Sequence, residues 1–252
     1  MKSALIFLNG RYDLRYPRFY MEELTWALEN SHPLICADGG LRLLTKLNKI
    51  NESQIFPDVL IGDLDSLDEM PDDTIEQLER SGTRIVREWI GHVDKDDTDG
   101  QLATAYAIAE YDCEQLLLYG GLPRPRGYEI DHFLGNLRLM RFGFQLFQEG
   151  PHGAKDNWRA EMRDPFQTIH FVISDATIER KNEGVQRVSL ISEVPNVIVE
   201  CSTNLRWSLD GLRVDPVRTN TLRNEFVAGA DQATIHLTEG SDPVYVIHNW
   251  YE

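Results

Sequence analysis

From residue 2 to about residue 142, short aliphatic or β-branched runs alternate with longer stretches whose apolar residues recur every three or four positions. This alternation restricts the fold more than any other feature, because neighbouring parallel strands can be joined only by long crossovers, usually helices. The spacing predicts strands at Ser3–Leu8, Pro33–Ala37, Val59–Ile61, Arg84–Val86 and Gln115–Tyr119. It predicts helices at Arg18–Glu29, Gly40–Asn48, Asp72–Ser81, Thr98–Tyr111 and Ile130–Phe142, the fourth with an apolar stripe of Leu102, Ala105, Ile108 and Ala109. Glu149–Gln167 mixes Gly, Pro and charge without period and reads as a linker or inserted excursion. Beyond it lie short strand-like runs separated by turn residues: Ile169–Ser174, Ala176–Arg180, Gln186–Ser192, Val197–Cys201, Ala233–Thr238 and Val244–His248. The expected organisation is therefore an α/β domain with a mainly parallel sheet over residues 1–148, a connecting segment at 149–167, and an antiparallel β-sandwich-like domain over 168–252.

Charge narrows the function. Of 252 residues, 25 are Lys or Arg and 41 are Asp or Glu, a formal net charge of −16 that repels a nucleic-acid backbone. If such a chain handles phosphates, cations must mediate. Cys36, Cys113 and Cys201 are widely spaced and odd in number, which suits thiols in a reducing cytoplasm better than a disulfide framework. The apolar start is short, charge returns at Arg11 and no cleavage-site pattern follows, so it reads as a first strand; no stretch approaches membrane-spanning length.

Four clusters carry chemistry, on successive strand-to-helix turns, where a parallel sheet places its ligands. Asp38-Gly39-Gly40 follows the second strand, and its glycines allow close backbone approach beside a helix start; a capped turn is the plainer reading. In Pro57–Ser66, Gly62 ends a buried strand, and Asp63 and Asp65 follow two apart. Carboxylates so close repel unless a cation lies between them, and hard oxygen donors on a loop suit Mg²⁺ with bound phosphates. Asp94-Lys95-Asp96-Asp97-Thr98-Asp99 leads into a helix. Acids there favour the macrodipole without any ligand, but Lys95 is placed to answer a phosphate and Asp99 to join Asp63 and Asp65. Gly120-Gly121 is followed by a Pro/Arg-rich run and then by Asp131-His132 at a helix start; Arg124 and Arg126 suit either phosphate contact or an exposed loop.

In order and spacing, ADGG, PDVLIGDLDS, KDDTDGQLA and GG…DHFLGNL resemble the thiamine pyrophosphokinases over most of the first 140 residues, and VSLI, LRWSL and NEF further on resemble elements of that family's β-rich domain. The resemblance implies transfer of a diphosphate group from ATP to the hydroxyl of thiamine, giving thiamine diphosphate and AMP. It implies Mg²⁺ held by Asp63, Asp65 and Asp99, with Lys95 and Asp96 flanking the transferred group. ATP would lie along Asp38, Gly39, Gly40, Gly62, Ser66, Thr98, Gly120 and Gly121. Thiamine would meet Asp131, His132 and Asn136, with Trp207, Thr221 and Asn224 supplied by the β-domain across a homodimer. Read alone, Trp207 is an ordinary core aromatic.

Three departures accompany the likeness. Leu122–Tyr128 intervenes where the family has an Arg after its glycine pair; Arg223 stands where a hydroxyl is expected beside Asn224, with Thr221 nearby; and the segment around Lys155–Arg163 is long. They leave open a diphosphokinase acting on another hydroxymethyl heterocycle of the pterin kind, and a non-catalytic nucleotide- or thiamine-binding sensor.

Overall fold

The aliphatic run Ser3–Phe7, buried at every residue, forms β1, the strand from which the first sheet is built in both directions. A computed structural model describes residues 1–67, 70–87, 97–123, 130–150 and 158–250. The chain divides into two compact units, Met1–Asn157 with Met162–Pro165, and Trp158–Glu161 with Phe166–Glu252.

In the first unit, β2 (Leu34–Ala37), β3 (Val59–Ile61), β4 (Arg84–Val86) and β5 (Gln115–Tyr119) join β1 in the order β5-β1-β2-β3-β4, every pair parallel. The intervening helices are α1 (Pro17–Glu29), α2 (Leu41–Asn51), α3 (Thr74–Arg80) and α4 (Asp99–Tyr111), with α5 (Ile130–Glu149) after β5. Parallel strands buried on both faces need continuous apolar runs rather than alternation, and LICA, VLI and LLLY supply them. Since each helix returns the chain from the carboxyl end of one strand to the amino end of the next, α4 begins at the carboxyl edge of the sheet. It lies against β1, β2, β3 and α5.

Packing on two sides corrects the expected stripe. Residues 103–107 of α4 are buried without a break and Ala109 is exposed, so the helix is covered on more than one face, with Ala103, Ala105 and Ala107 flanking the large buried Tyr106. Helix α5 also runs seven residues past its predicted end. Gly143, a cost of about 1 kcal/mol in a helix interior, is buried together with Phe144 and Phe147, whose burial offsets it.

The predicted excursion contains β6 (Arg159–Asp164), a correction with a plain cause. Ala160, Met162 and Asp164 face inward and Arg159, Glu161 and Arg163 outward, so a period of two was present but hidden by an inward acid and a small residue. In the second unit, β7 (Gln167–Val172), β8 (Asp175–Glu179), β9 (Gln186–Ile191), β10 (Val199–Thr203), β11 (Asn224–Glu225), β12 (Gln232–Leu237) and β13 (Val244–Trp250) form two antiparallel layers. One runs β11-β9-β13-β7 and the other β10-β12-β8. Val172, Val188, Leu190, Val244 and Val246 of the first meet Ile178, Val199, Ala233, Ile235 and Leu237 of the second in one core. Strand β13 extends to Trp250 because His248, polar but buried, bonds Gln186 at 2.8 Å; burial lowers its imidazole to about 3.

Gly40 is where the sheet and the start of α2 meet most closely, since a Cβ there would lie 1.9 Å from the Phe7 carbonyl oxygen of β1. No rotamer change relieves a clash with backbone. Gly40→Ala should cost about 3 kcal/mol, the upper end for overpacking, read as a lower urea midpoint with an unchanged m-value.

Candidate active site

Asp38 leaves β2 at φ +44° and Leu64 follows β3 at φ +65°, both in the left-handed region that L-residues seldom occupy. Between them Gly62, at φ +135°, ends β3 where a Cβ would sit 2.6 Å from the Asp99 carboxylate and 3.2 Å from the Asp38 Cβ. The missing side chain is the space into which two acids converge. Donor oxygens of Asp38, Asp63 and Asp99 lie within 4.8 Å of one another.

The three differ in environment. Asp38 is 1% exposed; its Oδ2 accepts from Asn9 Nδ2 at 3.2 Å, while its Oδ1 is buried without a hydrogen-bond partner. Asp63 is exposed and its Oδ1 accepts from the Asp65 backbone N–H at 3.2 Å. Asp99 opens α4 directly after a capping box in which Thr98 Oγ1 accepts from the Gln101 N–H and Gln101 Oε1 from the Thr98 N–H. Burial, then the charges of Asp38, Asp63 and Asp65, push the Asp99 carboxyl up to about 6 against an opposing hydrogen bond from the Asp63 backbone.

Compared with the expected trio, Asp38 joins Asp63 and Asp99 and Asp65 stands one step outside, near enough to act on Asp99 through charge. A 3₁₀ turn starting at Asp65 directs its Oδ1 to Ser66 Oγ, 3.2 Å away, whereas Asp38 is delivered by β2, the immediate neighbour of β3. Hard carboxylate oxygens, one of them buried and unpartnered, suit a divalent cation, which would satisfy Asp38 Oδ1 and relieve the repulsion at Asp99.

The other predicted residues are placed as follows. Thr98 is the cap of α4. Gly39 and Gly40 are buried beside Asp38. Gly120, at φ +84°, abuts the Tyr12 hydroxyl, and the Gly121 carbonyl accepts from Asn136 at 3.4 Å. Asp131 and His132 are exposed at the start of α5, where the His132 backbone N–H and then its side chain hold the Asp131 carboxyl low. Lys95, Asp96, Arg124 and Arg126 lie outside the described residues. In the second unit, Trp207 is 52% exposed rather than core, with the Arg206 guanidinium 4.8 Å above its ring. The Asn224 side chain clasps the Trp207 backbone, accepting from its N–H at 3.1 Å and donating to its carbonyl at 2.6 Å. The Thr221 hydroxyl is buried and donates to the Leu190 carbonyl at 2.7 Å.

Two residues at the site went unread in the sequence, Asn9 beyond β1 and Arg42 in the first turn of α2. Arg42 donates to the Ser66 carbonyl and, at 3.4 Å, to Asn9 Oδ1. A cation in a first helical turn opposes the macrodipole, and that is the signal that marks it.

The fold and the site together define an α/β protein with a cluster of three carboxylates at the carboxyl edge of its parallel sheet. Residues 24–146, within the first unit, match the family model described as thiamin pyrophosphokinase, catalytic domain. The crystal structure of thiamine pyrophosphokinase from Bacillus subtilis resembles this one with a TM-score of 0.72 at 20% identity over all of both chains. Yeast thiamin pyrophosphokinase does so with 0.67 at 16% identity, over 99% of this chain and 86% of that one. At these identities the likeness is one of fold. Comparison with curated protein sequences gives no match.

The raised Asp99 makes a pH prediction for the metal-free protein. A carboxyl that binds its proton more tightly folded than unfolded makes stability fall as pH rises from about 4 to about 6, with the full penalty present above that window. Asp99→Asn removes the penalty. The variant should melt above wild type at pH 7.5 and with it at pH 4, as followed by calorimetry in EDTA.

Proposed function

We propose that the protein is an ATP:thiamine diphosphotransferase that joins the β- and γ-phosphoryl groups of ATP to the thiamine hydroxyl and releases AMP. The observation that carries this reading is the convergence of Asp38, Asp63 and Asp99 with one buried, unpartnered carboxylate oxygen, in a chain whose residues 24–146 match a thiamin pyrophosphokinase catalytic-domain model. Asp38, Asp63 and Asp99 would hold Mg²⁺, with Asp65 adding charge beside them. When bound, the ion neutralises the polyphosphate and the charge that develops on it during transfer.

The chain's own residues do the rest. The acid cluster beside the start of α2 turns away phosphates that carry no cation. The hydroxyl oxygen forms a bond to the β-phosphorus as the bond from that phosphorus to the α-bridging oxygen breaks, and the hydroxyl proton passes to a carboxylate. Asp96 and Asp131 are the candidates. Hydrogen bonds from the His132 backbone N–H and side chain lower the Asp131 carboxyl and make it a weaker base than an ordinary aspartate.

Trp207, half-exposed, suits an acceptor-binding face completed by a second copy of the chain. One observation favours a second acceptor class: Arg206 already covers the Trp207 ring, and it would repel the cationic ring of thiamine more than a neutral hydroxymethyl heterocycle such as a pterin alcohol. Its ion pair with Glu225, at 2.8 Å, offsets part of that charge.

The assay is AMP release from ATP and Mg²⁺ with thiamine or with a pterin alcohol. Thiamine-dependent AMP is the expected result; AMP released only with the pterin alcohol would move the acceptor assignment, and binding of nucleotide without AMP would replace enzyme by sensor. Asp63→Asn and Asp99→Asn should each lower turnover by about 10²–10³-fold, the loss expected where several kcal/mol of charge stabilisation disappear, with the fold retained by circular dichroism.

A further inference from the structure

Asn9 stands just beyond the end of β1, and both polar atoms of its side chain are engaged beside the acid cluster. Its Nδ2 donates to Asp38 Oδ2 at 3.2 Å and to Ser66 Oγ at 2.9 Å, and its Oδ1 accepts from Arg42 Nη1 at 3.4 Å. This orientation of the amide is the one the neighbours require, since a carboxylate and a hydroxyl face the NH₂ and a guanidinium faces the oxygen. Ser66 passes the chain on to Asp65 Oδ1 at 3.2 Å, and Arg42 closes it by donating to the Ser66 carbonyl. The loop after β3 and the turn after β2 are thus tied together through one side chain from a third strand end.

The surroundings are shaped to admit that side chain. A Cβ at Gly39 would lie 2.2 Å from Asn9 Oδ1 and 2.7 Å from its Cγ, so the first glycine of the pair is needed for Asn9 rather than for a ligand. Asp38 is held at a left-handed φ with one oxygen occupied by Asn9 and the other buried and free. Without the Asn9 donor the Asp38 carboxylate could rotate, and either oxygen, or neither, would face Asp63 and Asp99.

We infer that Asn9, braced by Arg42, is a positioning residue that selects the oxygen Asp38 offers to the cation and keeps the Asp63–Ser66 loop against it. The inference rests on the proposed cation site. Outer hydrogen-bond partners of metal-binding carboxylates typically govern affinity by about 10- to 100-fold.

The test is a Mn²⁺ titration of the full chain followed by electron paramagnetic resonance, with Mg²⁺ competition. Asn9→Leu, close in size and without a donor, should weaken Mn²⁺ binding about 10- to 100-fold while circular dichroism remains that of wild type. In turnover, the apparent KM for Mg²⁺ should rise by a similar factor and kcat should recover as Mg²⁺ is raised. Affinity within twofold of wild type would overturn the inference. If Asn9→Leu does not fold, Asn9→Ala is held to the same criterion, and Arg42→Gln, which removes only the brace, should give a smaller loss of the same sign. Wild type that binds no Mn²⁺ would instead overturn the cation site itself, so the two failures are distinguishable.

Discussion

Carboxylates packed close at the end of a sheet repel one another, and the surrounding structure must hold them there. Asp38, Asp63 and Asp99 come from three chain segments and bring donor oxygens within 4.8 Å. None of them could be kept there by its own segment alone. Adjacent parallel strands deliver Asp38 and Asp63, and the capping box of α4 fixes Asp99 at the helix start, where backbone N–H groups favour negative charge. The penalty that remains is visible in the raised Asp99 carboxyl. A divalent cation is the simplest charge that turns this repulsion into attraction.

Much of this was legible in the sequence because it rests on local signals. The three-residue runs Val59–Ile61 and Arg84–Val86 were predicted with their observed bounds, since a short strand that follows closely on Pro57 or Gly82 has little freedom of register. Gly62 followed by two acids marked the edge correctly as the place where carboxylates collect. What stayed hidden depends on which segments become neighbours. Asp38 enters the cluster because β2 pairs with β3, and nothing near residue 38 states that pairing. Asn9 carries no signal of its own until β1 is known to lie beside β2. In β6 the alternation existed but ran through Ala160 and Asp164, types that hydrophobic periodicity does not count as inward.

The second unit shows a different limit. Its core follows from the alternation of Val, Ile and Leu across two layers, a pattern read for every strand but the two-residue β11. Its polar residues do not follow from pattern. Asn224 and Thr221 both bond backbone within the unit, Asn224 around Trp207 and Thr221 to Leu190, so their residue types are explained by loop geometry before any substrate is considered. Trp207 is then the residue that geometry leaves over, a large aromatic half in solvent with an arginine stacked on it. An exposed tryptophan held by its own backbone clasp is rigid, and rigidity lowers the entropic cost of burying it against a ligand or a second chain.

Strain at the first site has the same logic. Left-handed φ values at Asp38 and Leu64 cost of order 1–3 kcal/mol each, and the orphaned Asp38 oxygen adds a desolvation cost that nothing within the described residues repays. These costs persist because the loops bearing them are over-determined elsewhere, by Gly40 seated against the Phe7 carbonyl and by the Asn9–Arg42–Ser66 bonds. A site stabilised from outside and destabilised at its centre has one way to lower its energy without moving, which is to bind something positive.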